Sequence, residues 1–369
     1  MISRAHKIKL NPSKTQAVML AKTAGTARYV YNWGLAKWKE LYDTDKTCDQ
    51  YLLARQWTQD RPDWAKETNR CSQTKALMNL GGAFKAFFQG KRRYPVFHSK
   101  GCNDGFYVSN DKARLYGKKV RLPNIGRIRM RETLRYQDAD IQSYVVSREA
   151  DGWYVSISCL LPDTEPVEKN TSTVGVDVGC TNWAVASDGT TCDTPQNLKS
   201  YERELKRRQR LLSRKVKGSR NRSKARNKVA RAYQKIRRVK LDAMHKFTEN
   251  ITKNHGVVCC ETLDVKAMQS GDNKYVRKGV QNSGMAEILR QLEYKARACI
   301  RVDKCFPSTL LCSTCGNQKA DMPLSERTYH CDFCRTTLDR DMNAALNICK
   351  EGLRIYTEGH SESACGDAR

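Results

Sequence analysis

Two short cysteine repeats, Cys312-x-x-Cys315 and Cys331-x-x-Cys334, stand fifteen residues apart in this chain of 369 residues and constrain its folding more than any other feature. Each repeat presents two thiols from one tight turn, and two such turns facing each other close a tetrahedron of sulfurs, the ligand set of zinc. Four protein ligands leave no open position, so a zinc ion held there is structural. His330 adjoins Cys331 but is surplus to a complete shell and reads as a bystander. The other cysteines, out of 16 in all, show no second set of spacings. Residues 1–10 alternate charged with single apolar side chains, and no apolar run reaches the length of a membrane span, so neither export nor insertion is expected. A reducing, cytoplasmic setting follows, in which paired cysteines bind metal rather than each other.

Lys and Arg number 67 against 39 Asp and Glu, a net charge of +28. Such an excess repels itself unless a polyanion neutralises it, and nucleic acid is the partner it favours. A basic membrane-surface protein would want an amphipathic basic helix or a lipid anchor, and the sequence offers neither. The charge concentrates between Lys199 and Lys240, with 19 Lys and Arg and two acids, Glu202 and Glu204. Leu205, Leu211, Leu212, Val216, Val229, Ala232 and Ile236 recur there at helical intervals and Gly218-Ser219 interrupts them, predicting two basic helices joined by a turn. A merely solvated hairpin would carry both signs; this one is nearly all positive. Its candidate nucleic-acid contacts are Lys206, Arg207, Arg208, Arg210, Arg214, Lys215, Arg220, Arg222, Lys224, Arg226, Lys228 and Arg231.

The first half changes character twice. A short strand, Lys7 to Leu10, precedes Asn11-Pro12 and a capping box from Ser13 to Gln16, then an aromatic-rich helical stretch to about Phe88. From Arg92 to about Asp163 the pattern is of strands, with Tyr144-Val145-Val146 and Trp153 to Leu161 flanking Asp151-Gly152, a dipeptide that suits a type I′ hairpin turn. Short strands broken by Gly and Pro predict a small β-barrel with the helical segment inserted. Residues 162–173 are polar and acidic, as a linker would be.

In the second half, Val174-Gly175-Val176-Asp177-Val178-Gly179 is an apolar strand carrying one carboxylate, and Trp183 to Ala186 with Asp188-Gly189 is a second strand and turn. Gly256 to Glu261 repeats the design. A third acid, Asp341, opens the apolar helical run from Asp339 to Ile348, where an acid could equally be an N-cap. A charge in a buried strand is costly without a partner, and three converging carboxylates are the hard oxygen ligands that Mg²⁺ takes. Two such ions about 3.5–4 Å apart can serve phosphodiester hydrolysis.

Taken together, Val174 to Gly179, Val258 to Glu261, Phe306-Pro307-Ser308 leading into the cysteine repeats, and Asp339 to Ile348 resemble the split RuvC nuclease of the TnpB family, transposon-encoded RNA-guided proteins similar to the ancestors of type V CRISPR effectors. Thr26-Ala27-Arg28-Tyr29-Val30-Tyr31-Asn32, Arg290-Gln291-Leu292-Glu293-Tyr294-Lys295 and the small-residue acidic tail from Glu358 add to the likeness, which spans nearly the whole chain. One departure is Ser283-Gly284-Met285-Ala286-Glu287, where the family usually carries an aromatic residue.

The resemblance implies a mixed α/β and β architecture. A wedge β-barrel would comprise 1–10 and 92–172, with a helical recognition domain at 11–91. An RNase H-like RuvC domain would occupy 173–352, with a zinc ribbon inserted at 305–338, and 353–369 would form a disordered tail. Asp177, Glu261 and Asp341 would bind catalytic Mg²⁺, two ions in the family's chemistry, and Cys312, Cys315, Cys331 and Cys334 would bind zinc. The partners implied are a guide RNA from the transposon end, one chain per guide, and target DNA, double- and single-stranded, recognised beside a short transposon-adjacent motif. Cleavage would leave a 3′-hydroxyl and a 5′-phosphate, within a prokaryotic nucleoid. Arg340 has two readings, a phosphate contact or a solvated helix start.

Rival functions require residues that are absent or differently ordered. A strand-transfer transposase typically orders its acids Asp, Asp, Glu; here the order is Asp, Glu, Asp with the cysteine repeats before the last. A tyrosine transposase of the HUH kind needs His-x-His, and the six histidines never fall at that spacing. A Holliday-junction resolvase has no use for so large a recognition half. A non-cleaving RNA-guided DNA-binding regulator, the nearest alternative, should have lost a carboxylate, and none is missing.

Overall fold

In the computed structural model, which describes residues 2–45, 48–136, 139–162, 172–270, 273–323 and 325–366, strand β1 (Ile2–Asn11) turns His6, Ile8 and Leu10 inward by the period-two alternation of its side chains. Helices α1 (Lys14–Asp45), α2 (Gln50–Asp60), α3 (Asp63–Lys66) and α4 (Arg70–Phe88) follow. Then come β2 (Gly105–Ser109), β3 (Arg114–Tyr116), β4 (Lys119–Leu122), β5 (Gly126–Met130), β6 (Asp140–Glu149) and β7 (Gly152–Leu161). These elements fall within the first of two compact units, Met1–Glu165.

The capping box forms as expected: Ser13 N donates to Gln16 Oε1 at 3.0 Å and Gln16 N to Ser13 Oγ at 3.2 Å. The seven strands make one antiparallel sheet in the order β2-β6-β7-β1-β5-β4-β3. Strand β1 belongs to two ladders, pairing with β7 over Ile2 to Lys9 and with β5 at Leu10 and Asn11. Among the described residues no ladder joins the edges β2 and β3; α1 and α4 pack against β2 instead and cover that edge. The β6–β7 hairpin turns one residue earlier than expected, through Ala150 and Asp151, because Glu149 already pairs with Gly152.

The aromatics of the helical segment divide: Tyr31, Trp38, Trp57 and Phe84 are core, whereas Tyr29, Tyr42, Tyr51, Trp64 and Phe88 are exposed. Trp38 stacks on Phe84 with centroids 4.1 Å apart, and Trp57 donates its indole N–H to the buried Gln73 at 3.0 Å. The motif from Thr26 to Asn32 fastens α1 to the loop preceding β2: Arg28 pairs with Asp104 at 2.5 Å, Tyr31 stacks on His98, and Asn32 exchanges two hydrogen bonds with the His98 backbone.

The second unit, Pro166–Arg369, contains β8 (Thr173–Asp177), β9 (Ala184–Ala186), β10 (Thr191–Cys192), α5 (Leu198–Ser213), α6 (Arg220–Asn254) and β11 (Val257–Glu261). It continues through α7 (Val265–Ser270), α8 (Lys274–Ser283), α9 (Met285–Lys295), β12 (Ala298–Val302), β13 (Thr328–His330), β14 (Thr337–Asp339) and α10 (Arg340–Gly366). A five-stranded sheet, β10-β9-β8-β11-β12, has a parallel core of β8, β11 and β12 with β9 and β10 antiparallel at one side. Both faces of its centre are covered, which is why β8 and β11 read as nearly unbroken apolar runs. Val258 and Cys260 pack with Met244, Phe247 and Ile288 from α6 and α9, while Val257 and Cys259 pack with Ile348 of α10.

The atypical Ser283–Glu287 segment has a local solution. Gly284 adopts a left-handed φ of +68° and a Cβ there would lie 2.0 Å from Met244 Cε, while Met285 is buried beside it.

Two expectations change. Residues 353–366 continue α10 rather than forming a disordered tail; Arg354 pairs with Glu351 and Glu358 at 2.7 Å each, the i,i+3 and i,i+4 spacings that support an exposed helix. Residues 367–369 of that expectation lie outside the described residues. Of the apolar series in the basic hairpin, Leu211 on α5 is exposed by 49% and Val216, in the turn after α5 ends at Ser213, by 76%.

Candidate active site and metal centres

Asp177 is the last residue of β8, and Glu261 is the last of β11 beside it. The strands are parallel and Cys260 faces Val176, so one step further along the same register both carboxylates emerge at one end of the sheet. In parallel sheets this carboxyl edge is where functional groups collect.

The third acid reaches that edge because α10 lies flush on the sheet. A Cβ on Gly175 would sit 2.1 Å from the Ala345 carbonyl oxygen, and one on Gly352 would sit 2.3 Å from Cys259 Sγ. Only hydrogen at these two positions permits the approach. The cap of α10 is Asp339, whose Oδ1 accepts from Asp341 N at 3.0 Å and Met342 N at 3.1 Å. Asp341 is thereby released from capping, and its Oδ1 lies 3.5 Å from Arg340 Nε and 3.9 Å from Arg327 Nη1.

The convergence has an electrostatic signature. Asp177 is pushed up to about 8, first by burial and then by the negative charges of Glu261 and Asp341, against a weaker opposing pull from Arg340. Excess negative charge among oxygen donors is what a divalent cation relieves, although the ligand oxygens of these three residues do not draw as close as the sulfurs of the cysteine cluster, which among the described residues is the group with all its ligand atoms within 4.8 Å. Glu261 is further held: Ser308 Oγ donates to its Oε1 at 2.5 Å, and Arg301 Nη1 donates to its backbone carbonyl at 3.0 Å.

The four cysteines form the second centre. Their sulfurs all lie within 4.8 Å of one another, with Cys312–Cys334 and Cys315–Cys331 each 3.6 Å apart. A ZnS₄ tetrahedron has edges of about 3.8 Å, so the cluster fits a zinc ribbon. Hydrogen bonds from Thr336 draw the Cys334 thiol down, while the Cys315 thiol beside it is pushed up. His330 hydrogen-bonds Thr337 and is not of the cluster.

The two centres share supports that sequence reasoning missed. Asn343 accepts from Ser313 N at 2.9 Å and donates to the Leu311 carbonyl at 2.7 Å, and Asn347 donates to the carbonyls of Ser308 and Leu311. Lys350 donates to the Ser313 carbonyl. Polar residues on the packed face of an otherwise apolar helix were the available signal. Arg327, within the ribbon, donates to Thr181 at 2.8 Å as well as approaching Asp341. Arg340 is half-buried rather than solvated, and its Nη1 donates to the Glu326 carbonyl.

In the basic hairpin, Ser219 caps α6 by accepting from Arg222 N, and Gly218 takes a φ of +84°. Lys206, Arg207, Arg210, Arg214, Lys215, Arg220, Lys224, Arg226, Lys228 and Arg231 are exposed. The other two candidates act within the protein. Arg208 pairs with Glu204 at 2.5 Å and donates to the Lys228 carbonyl, and Arg222 donates to the carbonyls of Leu212 and Lys215.

Among the described residues no helix is long and apolar enough to cross a membrane. Comparison with known proteins finds a family profile described as "Probable transposase" matching residues 156–271, and one described as "Cas12f1-like, TNB domain" matching 286–348. A third, described as "Helix-turn-helix domain", matches 1–47, although the structure has β1 and the single helix α1 there. The chain is 30% identical to "Putative RNA-guided DNA endonuclease InsQ" of Escherichia coli (strain K12), over 99% of this chain and 94% of that one. It is also 30% identical to a "Putative RNA-guided DNA endonuclease" of Streptomyces pristinaespiralis, over 99% and 92%. A solved structure of Cas12f1 with single guide RNA and target DNA shares the fold with a TM-score of 0.58 and 15% identity, covering 91% of this chain and 83% of that one.

Proposed function

The chain belongs to the TnpB family, and from that premise we propose that it is an RNA-guided DNA endonuclease. It binds a guide RNA from the end of its transposon and cleaves target DNA beside a short transposon-adjacent motif. The guide supplies most sequence specificity by base pairing, and the protein grips the heteroduplex through its backbone. The antiparallel sheet serves as the wedge and α1–α4 as the recognition lobe, while the parallel sheet with α10 is the RuvC nuclease. One chain acts per guide RNA, in the cytoplasm.

What supports this reading is that Asp177 and Glu261 end neighbouring parallel strands and that the charges of Glu261 and of Asp341, on the helix packed against them, reach Asp177. These three carboxylates hold Mg²⁺, and the four cysteines hold zinc. When bound, the divalent ions supply the Lewis acidity that phosphodiester hydrolysis needs. The protein's own part is placement. Arg327 and Arg340 both approach Oδ1 of Asp341, and Ser308 donates to Oε1 of Glu261. The exposed cations of α5 and α6 neutralise phosphates along the RNA or the heteroduplex.

The test is to sequence the RNA that copurifies with the full chain and then replace its 3′ segment. A transposon-end transcript, with Mg²⁺-dependent cleavage that follows the new segment, is the expected result. Bulk ribosomal fragments and no guided cutting would overturn the reading.

A further inference from the structure

The segment between β12 and the ribbon carries a side chain placed as an active-site support would be. Ser308 is 4% exposed. Its hydroxyl donates to Glu261 Oε1 at 2.5 Å, a short bond of the charge-assisted kind. The Ser308 backbone is fixed at both ends: its N–H donates to the Phe306 carbonyl at 2.8 Å, and its carbonyl accepts from Asn347 Nδ2 at 2.8 Å. Asn347 is itself buried and lies on α10, the helix that carries Asp341. A continuous polar chain therefore runs from α10 through Ser308 to the carboxylate of Glu261.

We infer that Ser308 is a positioning residue for Glu261, holding one carboxylate oxygen so that the other faces the site shared with Asp177 and Asp341. The inference rests on the metal-site reading given above. A glutamate at a strand terminus has three side-chain torsions to order, and at a site already crowded with negative charge it would otherwise turn away from Asp177. A hydroxyl donor removes part of that repulsion and selects one rotamer. Hydrogen bonds of this kind to metal-ligating groups typically carry about 10–100-fold in metal affinity or activity.

The experiment compares Ser308→Thr with Ser308→Val in the full chain with its copurified RNA. The two side chains have the same shape, so crowding in the buried pocket is equal and only the hydroxyl differs; Ser308→Ala is measured beside them. Mn²⁺ binding is read by electron paramagnetic resonance, and cleavage is read as a function of Mg²⁺ concentration. Threonine is expected to bind Mn²⁺ at least about tenfold more tightly than valine, with the Mg²⁺ midpoint for cleavage displaced in parallel and zinc content and RNA binding alike. Equal Mn²⁺ affinity and equal midpoints for the two variants would overturn the inference. Asp177→Ala separates the two levels: if it still cuts, the active-site reading fails, whereas if it is inactive and the Ser308 variants do not differ, only the role of Ser308 fails.

Discussion

The cysteine cluster of this protein and the carboxylate site proposed for it are built on opposite plans. The four sulfurs come from two turns close together in the chain, and each turn makes its half of the site by local geometry alone. The three carboxylates come from Asp177, Glu261 and Asp341, which no local geometry relates. They come within electrostatic reach of one another because β8 and β11 are neighbours in register and α10 is seated on them. A closed local site stabilises the structure around it; an open, long-range site depends on structure already made, and its concentrated charge works against the fold.

The largest effect that would sharpen this contrast is on Asp177→Ala. Cleavage should fall to the level of a no-enzyme control while guide RNA stays bound, because the variant loses a metal ligand but none of the basic hairpin. Undiminished cutting would break the comparison at once. The stability effect has the opposite sign. Asp177 titrates from about 8 in the fold against an ordinary value of 3.8, so its cost is absent below pH 4 and grows as pH rises toward 8. Metal-free Asp177→Asn protein should therefore melt higher than wild type at pH 8, with the gap closing toward pH 4 and shrinking when Mg²⁺ is added. Calorimetry across that range checks it.

Next in size is Cys312→Ser. Structural zinc in comparable sites contributes about 10–16 kcal/mol to folding, so this variant should lose its zinc and melt lower. Cleavage should fall indirectly, since Ser308 and Arg327 are attached through the same segment. Full zinc content with an unchanged melting temperature would refute the ribbon. Gly175→Ala should cost about 1–3 kcal/mol or more by overpacking, and it should lower cleavage more than RNA binding, because the clash lies between β8 and the helix bearing Asp341. A melting curve and a binding isotherm separate the two.

The smallest effects concern the hairpin. RNA binding should weaken steeply with salt, and each exposed cation removed, Arg207→Ala or Arg210→Ala, should lower the salt slope by about one. Arg208→Ala should instead lower stability and leave the slope nearly unchanged, because Arg208 is engaged with Glu204 and Lys228. Equal slopes for all three variants would mean that the hairpin does not track phosphates.

The sequence by itself determined much of this protein. Cysteine spacing defined the ribbon, one-signed charge defined the basic hairpin, apolar runs ending in acids defined β8 and β11, and Ser13-to-Gln16 chemistry defined the start of α1. Each is a local pattern that a few adjacent residues can encode. Tertiary structure alone decided that α1 and α4 cover the edge of the antiparallel sheet, that α10 is seated against Gly175, and that Ser308 grips Glu261. Those outcomes depend on which surfaces meet across tens or hundreds of residues. A serine or an arginine carries no mark in its own sequence neighbourhood of the partner that packing will bring to it.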